Sequence, residues 1–191
     1  MAEKTTVQQK VVNGVNVDQL FETIDAIRGN GVIAKFKFRV RNRWIDGGHN
    51  RITANDFDGA CATHRRPASF VLDADEPPVL LGEDRGPNPV EYALAALSAC
   101  MTTSLVYHAA AKGYELEEVE SRFEGDLNLK GFLGMDPSVR RGYEKVRVVF
   151  RVKPKGEVPP EVLDEIVQYG PTFSPVHDIF TNAVPVEVTR E

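Results

Sequence analysis

The feature that most constrains this chain is a stretch of twenty residues, 92–111, that contains no Asp, Glu, Lys or Arg. Asn88 and Pro89 precede it as a suitable N-cap and first helical residue, and Gly113 follows as a left-handed stop. The pattern predicts one helix that runs from Pro89 to Lys112. Because this helix has no charged face along about five turns, we expect it to be buried on all sides at the centre of the fold.

A helix of this length could also cross a membrane. Several features argue against a membrane-spanning helix. The segment contains Ser, Thr and His108, Ala predominates over Leu, and the sequence has no second such segment. We therefore expect a core helix and no membrane contact. Because small side chains let other backbones approach closely, the Ala-rich composition also suits packing at a symmetric subunit interface.

Size and composition indicate one ordinary globular protein. The chain has 191 residues, of which 42% are hydrophobic and 27% charged. The net charge of -5 argues against a nucleic-acid-binding surface. Two cysteines are too few for a disulfide scaffold, and the first fifteen residues lack the apolar core of a secretory signal. We therefore expect a cytoplasmic protein.

Alternating apolar and polar residues predict strands on both sides of the long helix. In residues 32–43 the apolar side chains are expected to face inward, opposite a row of Lys and Arg: Ala34, Phe36, Phe38 and Val40. A turn at residues 46–48 should return the chain along residues 50–58. Other predicted strands lie at residues 70–75, 119–129, 145–153 and 184–188, and other helices at residues 16–29, 160–169 and after Ser174-Pro175.

This order, without regular alternation of strand and helix, predicts an α+β fold with mostly antiparallel sheets. We expect one domain at residues 31–191, preceded by an extension at residues 1–30. The extension should be polar and frayed up to Val15 and then form a short amphipathic helix that ends at Gly29.

Cys100 is the first candidate for chemistry. A thiol within an uncharged helix is usually an inert small hydrophobe, and a reactive one needs a positive group nearby. The helix dipole cannot supply that charge, because Cys100 lies eleven residues beyond Pro89. The basic row from Lys35 to Arg43, or Arg51, could supply it, and an arginine would need an acidic partner that holds its guanidinium in place.

Glu91 is the natural acidic partner, but nine residues of helix place it about 13 Å from Cys100 and on the opposite face. Its carboxylate would therefore come from a partner subunit or act through an arginine. The alternative is that Glu91 only complements the helix N-terminus.

Other site types lack their usual patterns. Cys100 and His108 share a helix face but lie about 12 Å apart, so they should not form a catalytic pair. The four histidines have no metal-type spacing, and we expect no metal site. No phosphate-binding loop, GxGxxG or GxSxG motif is present, so we expect no cofactor.

The run GPNPVEYALAALSACMTT, from Gly86 to Thr103, resembles the peroxidatic-cysteine helix of the OsmC/Ohr superfamily. The turn at residues 46–48, the segment 72–78, and Ser174-Pro175-Val176 before a last strand occur in the family's order. The resemblance extends over residues 31–191.

The resemblance implies an OsmC-like fold in which antiparallel sheets wrap long central helices in an intertwined homodimer, with sites at the subunit interface. It also implies that a cysteine thiolate attacks an organic hydroperoxide, beside an arginine paired with a glutamate, and that a second cysteine closes a disulfide. Cys100 matches the attacking cysteine and Glu91 approximately matches the acid. Arg51 and Arg43 are the candidates for the arginine.

Ser174 stands where peroxidase members of the family have the second cysteine, and a hydroxyl cannot form that disulfide. An oxidised Cys100 would then be resolved by an external thiol, by Cys61 if it lies within about 6 Å between Cα atoms, or not at all. Ser174 also suits a helix N-cap. We assign Ser174 and His49 as candidate substrate-binding residues.

Two functions stay open. The first is a thiol-dependent peroxidase with one catalytic cysteine. The second is a dimeric, non-catalytic protein that binds a small apolar ligand at the subunit interface.

Overall fold

The computed structural model describes residues 9–190, which divide into two compact units. The helical unit comprises residues 9–17 and 94–190, and the hairpin unit comprises residues 18–93. Helices and antiparallel strands confirm the predicted α+β class. In chain order the elements are β1 Val11–Val12, β2 Val15–Asn16, α1 Val17–Gly29, β3 Lys37–Phe38, β4 Arg41–Asp46, β5 His49–Ala54, β6 Phe57–Gly59, β7 Ala62–His64, β8 Phe70–Ala74, α2 Pro89–Ala111, β9 Leu116–Asp126, α3 Leu129–Phe132, β10 Lys145–Pro154, α4 Pro160–Phe173 and α5 Pro175–Thr181.

Helix α2 begins and ends where its flanking residues predict. At the start, the Asn88 side chain accepts the N–H of Val90 at 2.9 Å, and the Glu91 carboxylate accepts the N–H of Asn88 at 2.8 Å. At the end, Gly113 adopts a left-handed φ of 82° and donates to the carbonyl of Ala110. These bonds satisfy backbone groups that a helix terminus otherwise leaves without partners.

Only one stripe of α2 is buried within the chain. Leu97, Met101, Leu105 and Ala109 recur every four residues along this stripe, and each is at most 4% exposed. The opposite stripe is exposed and uncharged, and consists of Ala95, Ala96, Ala99, Thr103 and Tyr107. The prediction of a helix buried on all sides is therefore wrong for a single chain, because one chain supplies neighbours for one side only.

Among the helices of residues 9–190, α2 alone is long and apolar enough to cross a membrane by length and composition. The core helix of a globular protein has the same properties. Leu105 and Ala109 of α2 lie in a hydrophobic core with Ile166 and Tyr169 of α4. This packing supports the predicted core helix.

Strands β9 and β10 form an antiparallel pair that covers the same core. Val119 of β9 and Phe150 of β10 pack against the buried residues of the two helices. Half-buried apolar residues of β10 alternate with exposed ones, as predicted: Val146, Val148, Phe150 and Val152. The exposed positions between them are basic except for Val149. The alternation of period two thus places one face of the pair on the helices.

Helix α4 is longer than the sequence predicts. The Gly170-Pro171 pair predicts an end before it, yet the helix continues to Phe173, and the N–H of Ser174 donates to the carbonyl of Gly170 at 3.2 Å. Gly170 is buried in this helix at a point where α2 passes close to it. A Cβ at this position would lie 3.3 Å from the carbonyl oxygen of Met101.

The start of the described chain forms a hairpin that the sequence did not predict; residues 1–8 lie outside the described part. Asn13 and Gly14 both have positive φ, 52° and 76°, and join β1 to β2 in a tight hairpin that buries Val12 and Val15. The Asn13 side chain also donates to the carbonyl of Tyr114 at 2.9 Å. The prediction of a frayed segment up to Val15 is therefore wrong for residues 11–15, and its part on residues 1–8 lies outside the described residues. The Asn-Gly pair was the signal for the hairpin.

The hairpin unit contains two three-stranded antiparallel sheets, β4-β5-β8 and β3-β6-β7. The predicted turn at residues 46–48 joins β4 to β5, and residues 70–74 form β8 as predicted. The strand predicted at residues 32–43 is broken, because residues 31–34 form a 3-10 turn before β3. Its apolar residues are exposed rather than buried, although Phe36 and Phe38 contact Gly59 and Phe57 of β6: Ala34, Phe36, Phe38 and Val40.

The last predicted strand does not form. Residues 182–190 contain no paired strand, and Val184, Val186 and Val188 are 53%, 80% and 88% exposed. Alternation makes a segment suited to a sheet, but a strand exists only where a neighbour accepts its hydrogen bonds. No described residue of the same chain supplies that neighbour.

Candidate functional site

Cys100 lies on α2 between the buried residues Leu97 and Met101 and is itself half-buried. Its thiol is free, and within residues 9–17 and 94–190 it has no hydrogen-bond partner. Cys61 is also free, but it is exposed in the turn between β6 and β7, where it adopts a left-handed φ of 63°. Cys100 is therefore the thiol with a partly sheltered environment.

Glu91 occupies the first turn of α2. Since the helix is continuous over residues 89–111, Glu91 and Cys100 lie about 13 Å apart along its axis and on opposite faces. The Glu91 carboxylate accepts the backbone N–H of Asn88, so it complements the helix N-terminus. A contact of Glu91 with an arginine of a partner subunit stays a prediction.

Arg51 is held by an acid that sequence reasoning did not select. Its Nε donates to Oδ1 of Asp73 at 3.0 Å, and its Nη2 donates to Oδ2 at 3.3 Å. The two residues are directly opposite each other on β5 and β8. Hydrogen bonds from Arg51, and then from His49, lower the pKa of Asp73 below its ordinary value despite partial burial. The guanidinium thus has a fixed orientation and an ionised partner.

His49 is a buried link between two arginines. Its Nε2 lies 2.8 Å from Oδ1 of Asp73, and its Nδ1 lies 3.3 Å from Nη1 of Arg85. Because a guanidinium can only donate, Nδ1 must accept, and we assign the ring proton to Nε2, which donates to Asp73. Arg85 in turn is paired with Glu83. Both ring nitrogens of His49 are therefore engaged.

The loop at residues 75–88 completes this cluster. Asp75 is 2% exposed, and its carboxylate accepts the backbone N–H groups of Glu76, Glu83 and Arg85 at 2.8, 3.2 and 3.3 Å. Burial alone would raise the pKa of Asp75, but these three N–H groups outweigh it and the net change is downward. Asp75 therefore fixes the loop that carries Arg85.

Arg43, the other candidate arginine, lies directly opposite Arg51 in the register of β4 and β5. Residues that face each other in this way share one face of the sheet. Arg43 is exposed, and within residues 9–190 its guanidinium has no hydrogen-bond or ion-pair partner. The two candidate arginines are thus neighbours, but only Arg51 is held by an acid.

Ser174 ends α4 and caps α5. It is 3% exposed, and its hydroxyl accepts the backbone N–H of His177 at 3.0 Å. This confirms the predicted cap. The assignment of Ser174 to substrate binding stays a prediction.

The structure thus brings three of the predicted site residues together in the hairpin unit: His49, Arg51 and Arg43. Cys100 and Ser174 belong to the helical unit. Sequence reasoning missed Asp73, Arg85 and Asp75, which organise the cluster. Asp73 interrupts an apolar run, which is a weak signal, but only the strand register places it opposite Arg51.

No cluster of three or more metal-binding side chains occurs in the described part of the chain.

Comparison with known proteins identifies the family. The family model of OsmC-like proteins matches residues 82–189, more than half of the 191 residues. This range contains α2 with Cys100 and continues through the core to the C-terminal segment. The chain therefore belongs to the OsmC-like protein family. Among curated proteins, no sequence matches this chain.

Solved structures of distant relatives share the fold. An OsmC-like protein from Mycoplasma pneumoniae is 14% identical, with a TM-score of 0.56 over 77% of this chain and 89% of that one. An OsmC-like protein of unknown function from Vibrio cholerae is 17% identical, with a TM-score of 0.55 over 75% and 92%. An organic hydroperoxide resistance protein from Legionella pneumophila is 19% identical, with a TM-score of 0.50 over 75% and 88%.

Proposed function

We propose that this protein is a thiol-dependent peroxidase that reduces organic hydroperoxides through one catalytic cysteine, Cys100. The observation that carries the proposal is a free, half-buried thiol on α2, within the region that matches the OsmC-like family. The similarity to the hydroperoxide resistance protein from Legionella pneumophila supports a role in redox defence. The cytoplasm is the expected location.

The proposed reaction begins with the Cys100 thiolate, since the thiolate is the nucleophilic form. Its sulfur attacks one oxygen of the hydroperoxide, the O–O bond breaks, and the leaving alkoxide takes up the proton lost by the thiol to become an alcohol. The sulfur, oxidised by two electrons, becomes a sulfenic acid.

An external thiol completes the cycle. Ser174 cannot form a disulfide with the sulfenic acid, because its side chain has no sulfur. A first external thiol therefore condenses with the sulfenic acid, releases water and leaves a mixed disulfide. A second external thiol attacks this disulfide, forms the external disulfide and restores the Cys100 thiol.

Arg51 is the better candidate for the guanidinium that stabilises the thiolate. Asp73 holds it through two hydrogen bonds, whereas Arg43 has no partner among residues 9–190. A cation stabilises developing negative charge more effectively when its orientation is already fixed before the substrate binds. Glu91 would act beside this arginine from the partner subunit.

The proposed working form is a homodimer. One chain leaves an uncharged stripe of α2 exposed, together with apolar residues of the hairpin unit. A second copy packed on these surfaces would remove them from water. The substrate site would then lie at the subunit interface.

The alternative is a dimeric protein that binds a small apolar ligand without catalysis. Two observations favour it. Ser174 stands in place of a second cysteine, and the Cys100 thiol has no hydrogen-bonded cation within its own unit. In this case the interface pocket would have been kept and the redox cycle lost.

The deciding experiment mixes fully reduced protein with cumene hydroperoxide in a stopped-flow instrument and follows free thiol at Cys100. The Cys61→Ser variant is the starting protein, because it leaves Cys100 as the one thiol in the chain. We expect thiol loss at least 100-fold faster than for free cysteine, followed by recovery when an external thiol is added.

The control is Cys100→Ser in the otherwise natural chain, for which we expect no rapid phase. Thiol loss no faster than that of free cysteine would exclude the peroxidase and leave the ligand-binding alternative. Rapid loss in Cys100→Ser would assign the chemistry to Cys61 instead.

A further inference from the structure

The β4-β5-β8 sheet carries a row of three charged side chains across one face. Arg43 on β4 is directly opposite Arg51 on β5, and Arg51 is directly opposite Asp73 on β8. Side chains in such positions have Cβ atoms about 5 Å apart and interact. Two positive groups and one negative group are therefore adjacent.

The single acid in this row is already used. Both oxygens of Asp73 accept hydrogen bonds from Arg51, and one of them is also shared with His49. Arg43 has no acid or other polar partner among residues 9–190. Like charges directly opposite each other are unfavourable. The positive charge of Arg43 is therefore not balanced by an acidic group within this row.

The sheet formed by β9 and β10 shows the usual arrangement of opposed charges. On β9 and β10, Arg147 is directly opposite Glu124, and Arg151 is directly opposite Glu120. Each of these arginines also forms an ion pair with an acidic residue of β9. The opposed arginine pair of the hairpin unit departs from this pattern.

We infer that Arg43 and Arg51 form a binding site for the carboxylate or phosphate group of a small ligand. Arg51 uses Nε and Nη2 on Asp73, so its Nη1 is available, and Arg43 offers its whole guanidinium. Planar guanidinium groups bind such oxyanions through paired hydrogen bonds. Both side chains are exposed, so a ligand can reach them.

The rest of the cluster keeps one half of this site rigid. Asp73 orients Arg51, and His49 braces Asp73 through its Nε2 proton. Arg85, held by Glu83, occupies the other ring nitrogen of His49. Arg51 is thus fixed before binding, which lowers the entropic cost of holding an anion. This inference goes beyond the thiol chemistry: the anion site shares Arg51 with the proposed peroxidase site, but it does not require the thiol of Cys100.

The test measures binding of two probes, inorganic phosphate and acetate, to the full-length protein by calorimetry at constant ionic strength. We expect saturable binding of at least one probe, and the stronger one identifies the preferred group. Arg43→Gln should weaken that binding at least tenfold. The matched control is Arg41→Gln, which removes an exposed arginine two residues earlier on the same face, opposite Thr53 rather than an arginine. It should change the affinity less than twofold.

Three results would overturn the inference: no saturable binding of either probe, an equal loss in Arg41→Gln and Arg43→Gln, or loss of binding in Cys100→Ser. The second result would mean that anion binding depends on the overall positive charge of the surface and not on the Arg43–Arg51 pair. The third would assign the anion to the thiol chemistry. Circular dichroism of each variant excludes unfolding as the cause. Cys100→Ser removes the thiol, and Arg43→Gln removes an arginine that the proposed thiol chemistry does not use, so the peroxidase and the anion site can fail independently although they share Arg51.

Discussion

At the scale of single residues, His108 shows how packing sets a protonation state. Its ring stacks on Phe173 with centroids 3.7 Å apart and planes 9° apart. Burial, and then the positive charge of Lys112, lower the pKa of His108 below its ordinary value of 6.5. The sequence predicts that His108 forms no catalytic pair with Cys100, and the observed packing of its ring on Phe173 is consistent with that prediction.

The sign of the resulting pH dependence follows from linkage. Below about pH 6.5 the imidazole of the unfolded chain takes up a proton that the folded chain takes up only at lower pH. The free energy of unfolding should therefore decrease as the pH falls from 6.5. In His108→Phe, which keeps a ring and cannot be protonated, this decrease should be smaller. Urea unfolding between pH 5 and 8 measures it.

His108→Gln is the control for stacking. It removes both the proton site and the ring, so the pH dependence should flatten as in His108→Phe while stability falls at every pH. If the free energy of unfolding depended on pH in the same way in the natural protein and in both variants, His108 would not be the source of the pH dependence.

At the scale of elements, the loop at residues 75–88 decides where Asp73 and Arg85 lie. Gly86 packs against the end of β8, and a Cβ at this position would lie 1.9 Å from the carbonyl oxygen of Asp73. The three nearest atoms all belong to the Asp73–Ala74 backbone, which leaves no room for a methyl group. The loop and the strand that orients Arg51 are therefore one packed assembly.

Gly86→Ala should lower the free energy of unfolding by about 1–3 kcal/mol, the usual cost of overpacking. Gly29→Ala is the matched control, since nothing lies within 4 Å of a Cβ there, and its effect should stay within about 0.5 kcal/mol. Urea unfolding of both variants measures the difference. Equal changes in the free energy of unfolding would show that the loop accommodates the added methyl group without loss of stability.

At the scale of the whole molecule, the exposed stripe of α2 predicts association. It offers uncharged side chains along several turns, including Ala99, Thr103 and Tyr107, on the side opposite the buried stripe. Burial of such a surface is favourable, and small residues allow close helix contact. Sedimentation equilibrium should therefore give twice the mass of the 21.2 kDa chain.

Ala99→Glu places a charge in this stripe and should shift the protein toward the monomer, because an unpaired charge is costly to bury. Ala26→Glu on the exposed side of α1 is the control and should leave the mass unchanged. A monomeric natural protein, or a dimer that tolerates Ala99→Glu, would contradict this interface.

Local chemistry was sufficient to predict several elements. The caps of α2 at Asn88 and Gly113, the turn at residues 46–48 and the cap at Ser174 each rest on hydrogen bonds or backbone angles available to a few neighbouring residues. The hairpin at Asn13-Gly14 belongs to the same class, although its signal was overlooked. The sequence motif around Cys100 was also sufficient for the family.

Only the tertiary structure decided which residues meet. Asp73 and Arg51 are 22 residues apart in sequence, and a shift of one residue in the strand register would turn them to opposite faces. α4 also continues through Gly170, which lies close to Met101 of α2, and no local pattern contains this neighbour. Local propensity determines where elements begin and end, whereas pairing and burial depend on surfaces brought together from distant parts of the chain, and these set the composition of the site.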